Sequence, residues 1–196
     1  MIALPKKLTV FDTETTGTGR NSLVVSYGSV NLDLATNRIT DHFEIFVNPN
    51  LDIHGLALYE EYAYKITNIA VPGMLDCDQS QFVERDIFTQ ELKKRFQHSS
   101  SMLAHNAAFD RRLLDQTLLF DKPFVDTFGV DLICSLRLSK QIFCKDKVGG
   151  YSLDRLCEHT GVDISCRNFH GALLDAEITA KYLIKLNEMG AIRVKG

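Results

Sequence analysis

No basic stripe runs along this chain: Lys and Arg number 22 against 25 Asp and Glu, a formal charge of −3 with histidine neutral. That excludes a long nucleic-acid footprint built on positive charge, so a phosphate-bearing ligand would need metal ions or a short local contact. The five cysteines, at 77, 134, 144, 157 and 166, include no C-x-x-C pair and are odd in number. They fit neither a zinc site nor a disulfide framework, and they suit a reducing compartment. No apolar run of signal-peptide length precedes the first strand and none is long enough to span a bilayer, so a cytoplasmic protein without membrane contact is expected. Repeats, low-complexity segments and linkers are missing too. What is present, 45% hydrophobic and 24% charged residues over 196 positions, is the composition of a globular chain that can bury an ordinary core. One domain over residues 1–196 is expected, with its core at about 7–189.

The run Leu8-Thr9-Val10-Phe11 has the β-branched and aromatic content of a buried strand. A second strand is predicted over Leu23–Val30 and a third over Arg38–Val47, the latter pairing as a hairpin across Leu34-Ala35-Thr36-Asn37. Residues 48–80 read as a long irregular connection, with a short helix over Leu56–Lys65 and a turn at Pro72-Gly73. A helix follows from Ser80 to Gln97, with Phe88, Leu92 and Phe96 on one buried stripe. The pattern then becomes strand and helix in alternation. Met102–His105 is a strand, and Asn106 caps a helix from Ala107 to about Leu119. Phe124–Asp126 is a strand before a helix over Val130–Lys140, and helices at Ser152–His159 and Gly171–Glu188 complete the chain. The sum is one α/β fold with a mixed sheet.

Four carboxylates break the pattern. Asp12 and Glu14 sit two positions apart on the first strand, so both leave the same face with Cα atoms roughly 6.5–7 Å apart. Such a pair repels and loses hydration unless a cation lies between, although a solvated strand end followed by a Thr-Thr-Gly turn would also explain it. Asp110 lines up with Leu113, Leu114 and Thr117 on the core side of its helix, where the helix dipole alone offers only about 0.3–1 kcal/mol. Asp175 lies on the flank of a stripe formed by Ala172, Leu173, Ala176, Ala180, Leu183, Ile184 and Asn187. His170 is five residues earlier, and five helical steps would turn it ~140° away, so it can share a site with Asp175 only from the loop before the helix.

Three separated motifs, Asp12-Thr13-Glu14-Thr15-Thr16-Gly17, His105-Asn106-Ala107-Ala108-Phe109-Asp110 and His170-Gly171-Ala172-Leu173-Leu174-Asp175-Ala176, together resemble the DnaQ-like 3′–5′ exonucleases. Within that family the likeness is greatest to the proofreading epsilon subunits of bacterial DNA polymerase III, and it covers nearly the whole chain in order and spacing. The resemblance implies a ribonuclease H-like fold, a mixed five-stranded sheet of three antiparallel strands and then two parallel ones, flanked by helices. It implies that Asp12, Glu14, Asp110 and Asp175 hold two Mg²⁺ or Mn²⁺ ions and that His170 is the general base. It also implies that Thr15, Thr16, Asn106 and Phe109 meet the 3′-terminal nucleotide. The activity implied is release of nucleoside 5′-monophosphates from the 3′ end of single-stranded or frayed DNA. Trimming of short RNA, or an inactive module that binds nucleic-acid ends, are the alternatives. A replication or repair partner is compatible with the family, but no polymerase-binding tail is visible after Gly190. Two departures concern the nucleotide pocket: Ser26 stands where the family often has Glu, and Thr67-Asn68-Ile69 stands for His-Gly-Ile or Thr-Gly-Ile. Asp126 and Asp131 match no ligand of the family and read as strand-end and helix-cap residues.

Overall fold

The first long strand organises the chain, because its side chains alternate between two separate apolar clusters. In a computed structural model that describes residues 2–195 it runs as β2 (Lys7–Thr15), after a short β1 (Ile2–Leu4). Met1 and Gly196, which the expected domain includes, lie outside the described residues. Next come β3 (Val24–Asp33), β4 (Arg38–Val47), α1 (Ile53–Glu61) and α2 (Tyr64–Thr67). A single 3-10 turn (Gln79–Gln81) leads to β5 (Phe82–Val83) and α3 (Arg85–Phe96). The second half holds β6 (Ser101–Ala104), α4 (Ala107–Thr117), α5 (Phe124–Phe128), β7 (Asp131–Cys134) and α6 (Ser135–Ile142). It ends with α7 (Lys145–Val148), α8 (Leu153–Thr160), α9 (Ala172–Glu188) and β8 (Ile192–Val194).

The main sheet has the order β5-β4-β3-β2-β6-β7. β2, β3 and β4 pair antiparallel, while β6 and β7 continue parallel to β2. Three antiparallel strands and then two parallel ones is the arrangement expected, with the fifth strand at a different place in the chain; a sixth, the two-residue β5, adds to the free edge of β4, and β1 pairs with β8 in a separate ribbon. Leu8 and Val10 face a cluster with Leu156 of α8 and Ile178, Tyr182 and Leu183 of α9. Phe11 faces the other way, into a cluster with Phe88, Leu92 and Phe96 of α3, Leu113 and Leu114 of α4, and Phe124. The period of two thus puts helices on both faces, which is what an α/β sheet with an apolar central strand requires.

Three local expectations change. The predicted Ser80–Gln97 helix begins only at Arg85, because Phe82 and Val83 pair with Phe46 and Val47, a tertiary contact that overrides propensity. Phe124–Phe128 is a helix rather than a strand and the strand lies at Asp131–Cys134; a short apolar run does not distinguish the two, and Gly129, at φ 64°, ends the turn. Asp126 therefore sits in a first helical turn and Asp131 opens a strand. Finally, the 56–65 helix is two pieces, α1 and α2, with Asn68 left-handed at φ 54° where the family pattern has glycine. Asparagine is the residue best able to replace glycine there.

Candidate active site

β6 is the shorter neighbour of β2, pairing only with Thr9 and Val10. Beyond Phe11 the outer half of β2 therefore has β3 on one side and no strand on the other, and the gap opens a cavity of about 970 Å³ beyond the carboxyl ends of β2, β6 and β7. Open α/β sheets present their ligand sites at such a place. Alternation carries Asp12 and Glu14 onto the α9 face, in line with Leu8 and Val10, while Thr13 points to the α4 face. There its hydroxyl donates to Asp110 Oδ1 at 2.8 Å.

On the α9 face the strand opposite is built small. Asp12 pairs with Gly28 and Glu14 with Ser26. A Cβ on Gly28 would fall 2.1 Å from the backbone nitrogen of Leu173, so only glycine admits the first turn of α9 so close to the sheet. Gly171 caps that helix without a side chain, and Glu44 of β4 supplies a carboxylate, accepting from Ser26 Oγ at 3.3 Å and Leu173 N–H at 3.5 Å. Asp175 is thereby buried, 3% exposed, instead of lying at a helix flank. Helix α9 is covered over a wider face than its apolar stripe suggested, with Ile178, Tyr182 and Leu186 also buried.

Asp12, Glu14, Asp110, His170 and Asp175 all line the one cavity. His170 is in the loop ahead of α9, its N–H donating to the Ile66 carbonyl at 3.0 Å. Glu14, His170 and Asp175 each offer one ligand atom, and these lie within 4.8 Å of one another. Burial, then the charges of Asp110, Glu14 and Asp175, hold Asp12 well above the usual carboxylate range. Burial and Asp175 push Glu14 up to about 8, against the pull of His170 and Arg167. Asp110 is pushed up to about 7 by burial, and the Thr13 hydroxyl resists. Its second oxygen, Oδ2, is buried without a hydrogen-bond partner. Asp175 differs: burial opposes its charge, but hydrogen bonds from His170 and Arg167 outweigh that and hold it below its ordinary value. Its bond to His170, Nδ1 to Oδ2 at 3.2 Å, raises the imidazole in turn.

An orphaned carboxylate oxygen among acids that cannot all ionise together is a cluster that lacks positive charge. The acids supply carboxylate oxygens, the donors that suit hard divalent cations, so the residues present fit Mg²⁺ or Mn²⁺.

The expected nucleotide contacts are less uniform. Thr15, Thr16 and Phe109 line the cavity, but the Thr15 hydroxyl donates to the Gly17 carbonyl at 2.8 Å. Thr16 Oγ1 accepts from Leu23 N–H at 3.0 Å, which leaves its own proton free. Asn106 is exposed, left-handed at φ 64°, makes no capping bond, and is not among the cavity residues.

Sequence reasoning missed three groups. Arg167, three residues before His170, enters the cavity and bonds Asp175 and Asp154. A loop residue has no periodicity to betray it; its charge beside an acidic motif is the signal available. His105 donates from Nε2 to the Tyr151 carbonyl at 3.0 Å and accepts at Nδ1 from Ser135 Oγ at 2.9 Å, tying the end of β6 to the loop after Gly150. Burial lowers its basicity, in keeping with a neutral ring. Leu58, Tyr62 and Ile66 present an exposed apolar wall at four-residue spacing along α1 and α2.

The RNase_T family model, described as exonuclease, matches residues 9–183. The chain is 29% identical over 189 residues to a DNA polymerase III subunit epsilon of Pasteurella multocida, covering 90% of this chain and 66% of that protein. It is 30% identical over 183 residues to the subunit of the same name from Rickettsia prowazekii, covering 90% of this chain and 72% of that one. Among solved structures, exonuclease X in complex with 5′-overhanging duplex DNA superposes with a TM-score of 0.60 at 24% identity, over 93% of each chain. The ribonuclease H-like architecture expected from the sequence is thus the one observed.

Proposed function

Because the chain belongs to the RNase_T exonuclease family over residues 9–183, we propose that it removes nucleoside 5′-monophosphates from the 3′ end of single-stranded or frayed DNA in a reaction dependent on divalent metal ions. The observation that supports this best is the crowding of Asp12, Glu14, Asp110 and Asp175 beside His170 in one open cavity, with three of the acids held above their ordinary carboxylate value. In this reading those four carboxylates hold two Mg²⁺ or Mn²⁺ ions. When bound, such ions supply charge to the attacking and leaving oxygens of the phosphodiester.

The chain's own residues do the rest. His170 takes a proton from the attacking water at Nε2, a task for which an imidazole near neutral pH is suited. Asp175, against Nδ1, orients the ring. The Thr16 hydroxyl proton and the wall of Leu58, Tyr62 and Ile66 receive the terminal nucleotide, one offering a hydrogen bond and the other an apolar surface. A cleft of about 970 Å³ open to solvent admits a strand end without enclosing it. With a net charge of −3 the chain grips long polymers weakly, so degradation is distributive. Residues 7–189 form the catalytic core. The five free cysteines are compatible with a cytoplasmic setting, and a replication or repair partner belongs to the same proposal, since the epsilon relatives are polymerase subunits by name.

Matched DNA and RNA oligonucleotides, labelled at the 5′ end and digested with Mn²⁺, test the reading. DNA shortened one nucleotide at a time, with Asp12→Ala inactive, is the expected result. RNA degraded in preference to DNA moves the substrate to the other polymer. Undiminished activity in Asp12→Ala removes the site from the reaction, and binding of ends without cleavage leaves an inactive binding module. His170→Ala is expected to lose turnover with metal affinity retained in calorimetry.

A further inference from the structure

The reading above gives Arg167 no task, yet its side chain is 8% exposed and lies inside the cavity. Its Nε donates to Asp175 Oδ1 at 2.7 Å, one terminal amino group reaches both Asp175 Oδ2 and, at 2.9 Å, His170 Nδ1, and the other holds Asp154. Both oxygens of Asp175 are therefore engaged by a guanidinium. A divalent ion held through the Asp175 carboxylate competes for the same lone pairs.

We propose that Arg167 is a resident counter-cation, a positioning residue that holds Asp175 and His170 in the metal-free protein and yields Asp175 to a divalent ion while keeping its grip on Asp154. The proposal rests on the metal-dependent reading above. Asp154, with a side chain 48% exposed at the rim, supplies an anchor away from the acids, so the guanidinium need not enter water to make room.

The test reads metal binding and the arginine itself rather than turnover. In the wild-type protein the Arg167 Nε–H resonance, assigned by its disappearance in Arg167→Lys, is followed by ¹⁵N NMR as Mg²⁺ is added. The expected result is a shift that saturates with the metal, together with about ten-fold tighter Mn²⁺ binding by Arg167→Ala in calorimetry. A merely structural role predicts the opposite sign, weaker binding in Arg167→Ala. An Nε–H signal unmoved at saturating Mg²⁺, or equal or weaker affinity in an Arg167→Ala protein that melts cooperatively, overturns the proposal. If Arg167→Ala does not fold, the wild-type titration decides alone. Wild-type protein that binds neither ion overturns the metal-dependent reading itself, a result distinct from binding that leaves Arg167 in place.

Discussion

On the strand side of the cavity half-buried Asp12 and buried Glu14 and Asp110 form no ion pair with a side-chain cation among the described residues, and each is held above its ordinary carboxylate value. On the helix side Asp175 is as buried but has Arg167 and His170 against it, and it stays below its ordinary value. Asp110 and Asp175, 2% and 3% exposed, are thus shifted in opposite directions, and the difference is the partner rather than the burial. One half of the site is electrically complete in the metal-free protein; the other half is where added positive charge has most to offer.

Neutralising each half by turn should move stability in opposite directions. Asp175→Asn leaves the Arg167 guanidinium buried with only Asp154, and the metal-free protein is expected to lose about 3 kcal/mol, a drop of roughly 6–12 °C in Tm by calorimetry. Gly28→Ala acts on the joint between the halves: its Cβ forces α9 off the sheet, which is expected to destabilise the protein by about 1–3 kcal/mol and to reduce turnover by about 100-fold as Asp175 moves away from Asp12. Asp12→Asn, by contrast, removes a repelled charge. It should raise the metal-free Tm at pH 8 by roughly 2–4 °C, about 1 kcal/mol, even as it abolishes activity.

The pH dependence has a definite sign. Glu14 and Asp110 bind protons more tightly folded than unfolded, so their contribution to stability is complete below about pH 4 and is lost as pH rises through about 7 and 8. In EDTA, Tm should therefore fall by about 5 °C between pH 5.5 and 8.5, and saturating Mg²⁺ should flatten that slope. Asp175 runs the other way, losing its contribution only as pH falls below the ordinary carboxylate range, outside this window. The smallest effect is expected for Thr13→Val, which removes the one side-chain hydrogen bond on Asp110 Oδ1. Mn²⁺ affinity should weaken by about five-fold, with Tm within about 2 °C of the parent. A larger loss of stability would mean that the bond serves the fold more than the cluster.

How much of this is written in the order of residues depends on the kind of signal. Asp12 and Glu14 stand out because alternation on an apolar strand is rigid, and Asp110 because a helix face can be drawn from Leu113, Leu114 and Thr117. His170 is picked out by the motif that it opens, and helical rotation puts it in a loop only if it shares a site with Asp175. Where tertiary pairing or a cap decides, local reading fails. Phe82 and Val83 are strand only because β4 offers an edge, and Phe124–Phe128 is helix where a run of apolar residues admits either form. Asn106 has the identity of a cap but adopts a left-handed backbone and makes no side-chain capping bond. Arg167 is the clearest omission, because its importance lies wholly in what it touches.

One backbone bond, from the His170 amide to the Ile66 carbonyl, fastens the loop before α9 to the last turn of the apolar wall. Pressure applied by a base stacked on Tyr62 or Ile66 would then be felt at the imidazole without any side chain relaying it. A chain end seated well and one seated badly would present differently timed hydrolysis, and the rate at which that single amide exchanges with deuterium is a gauge of the fit.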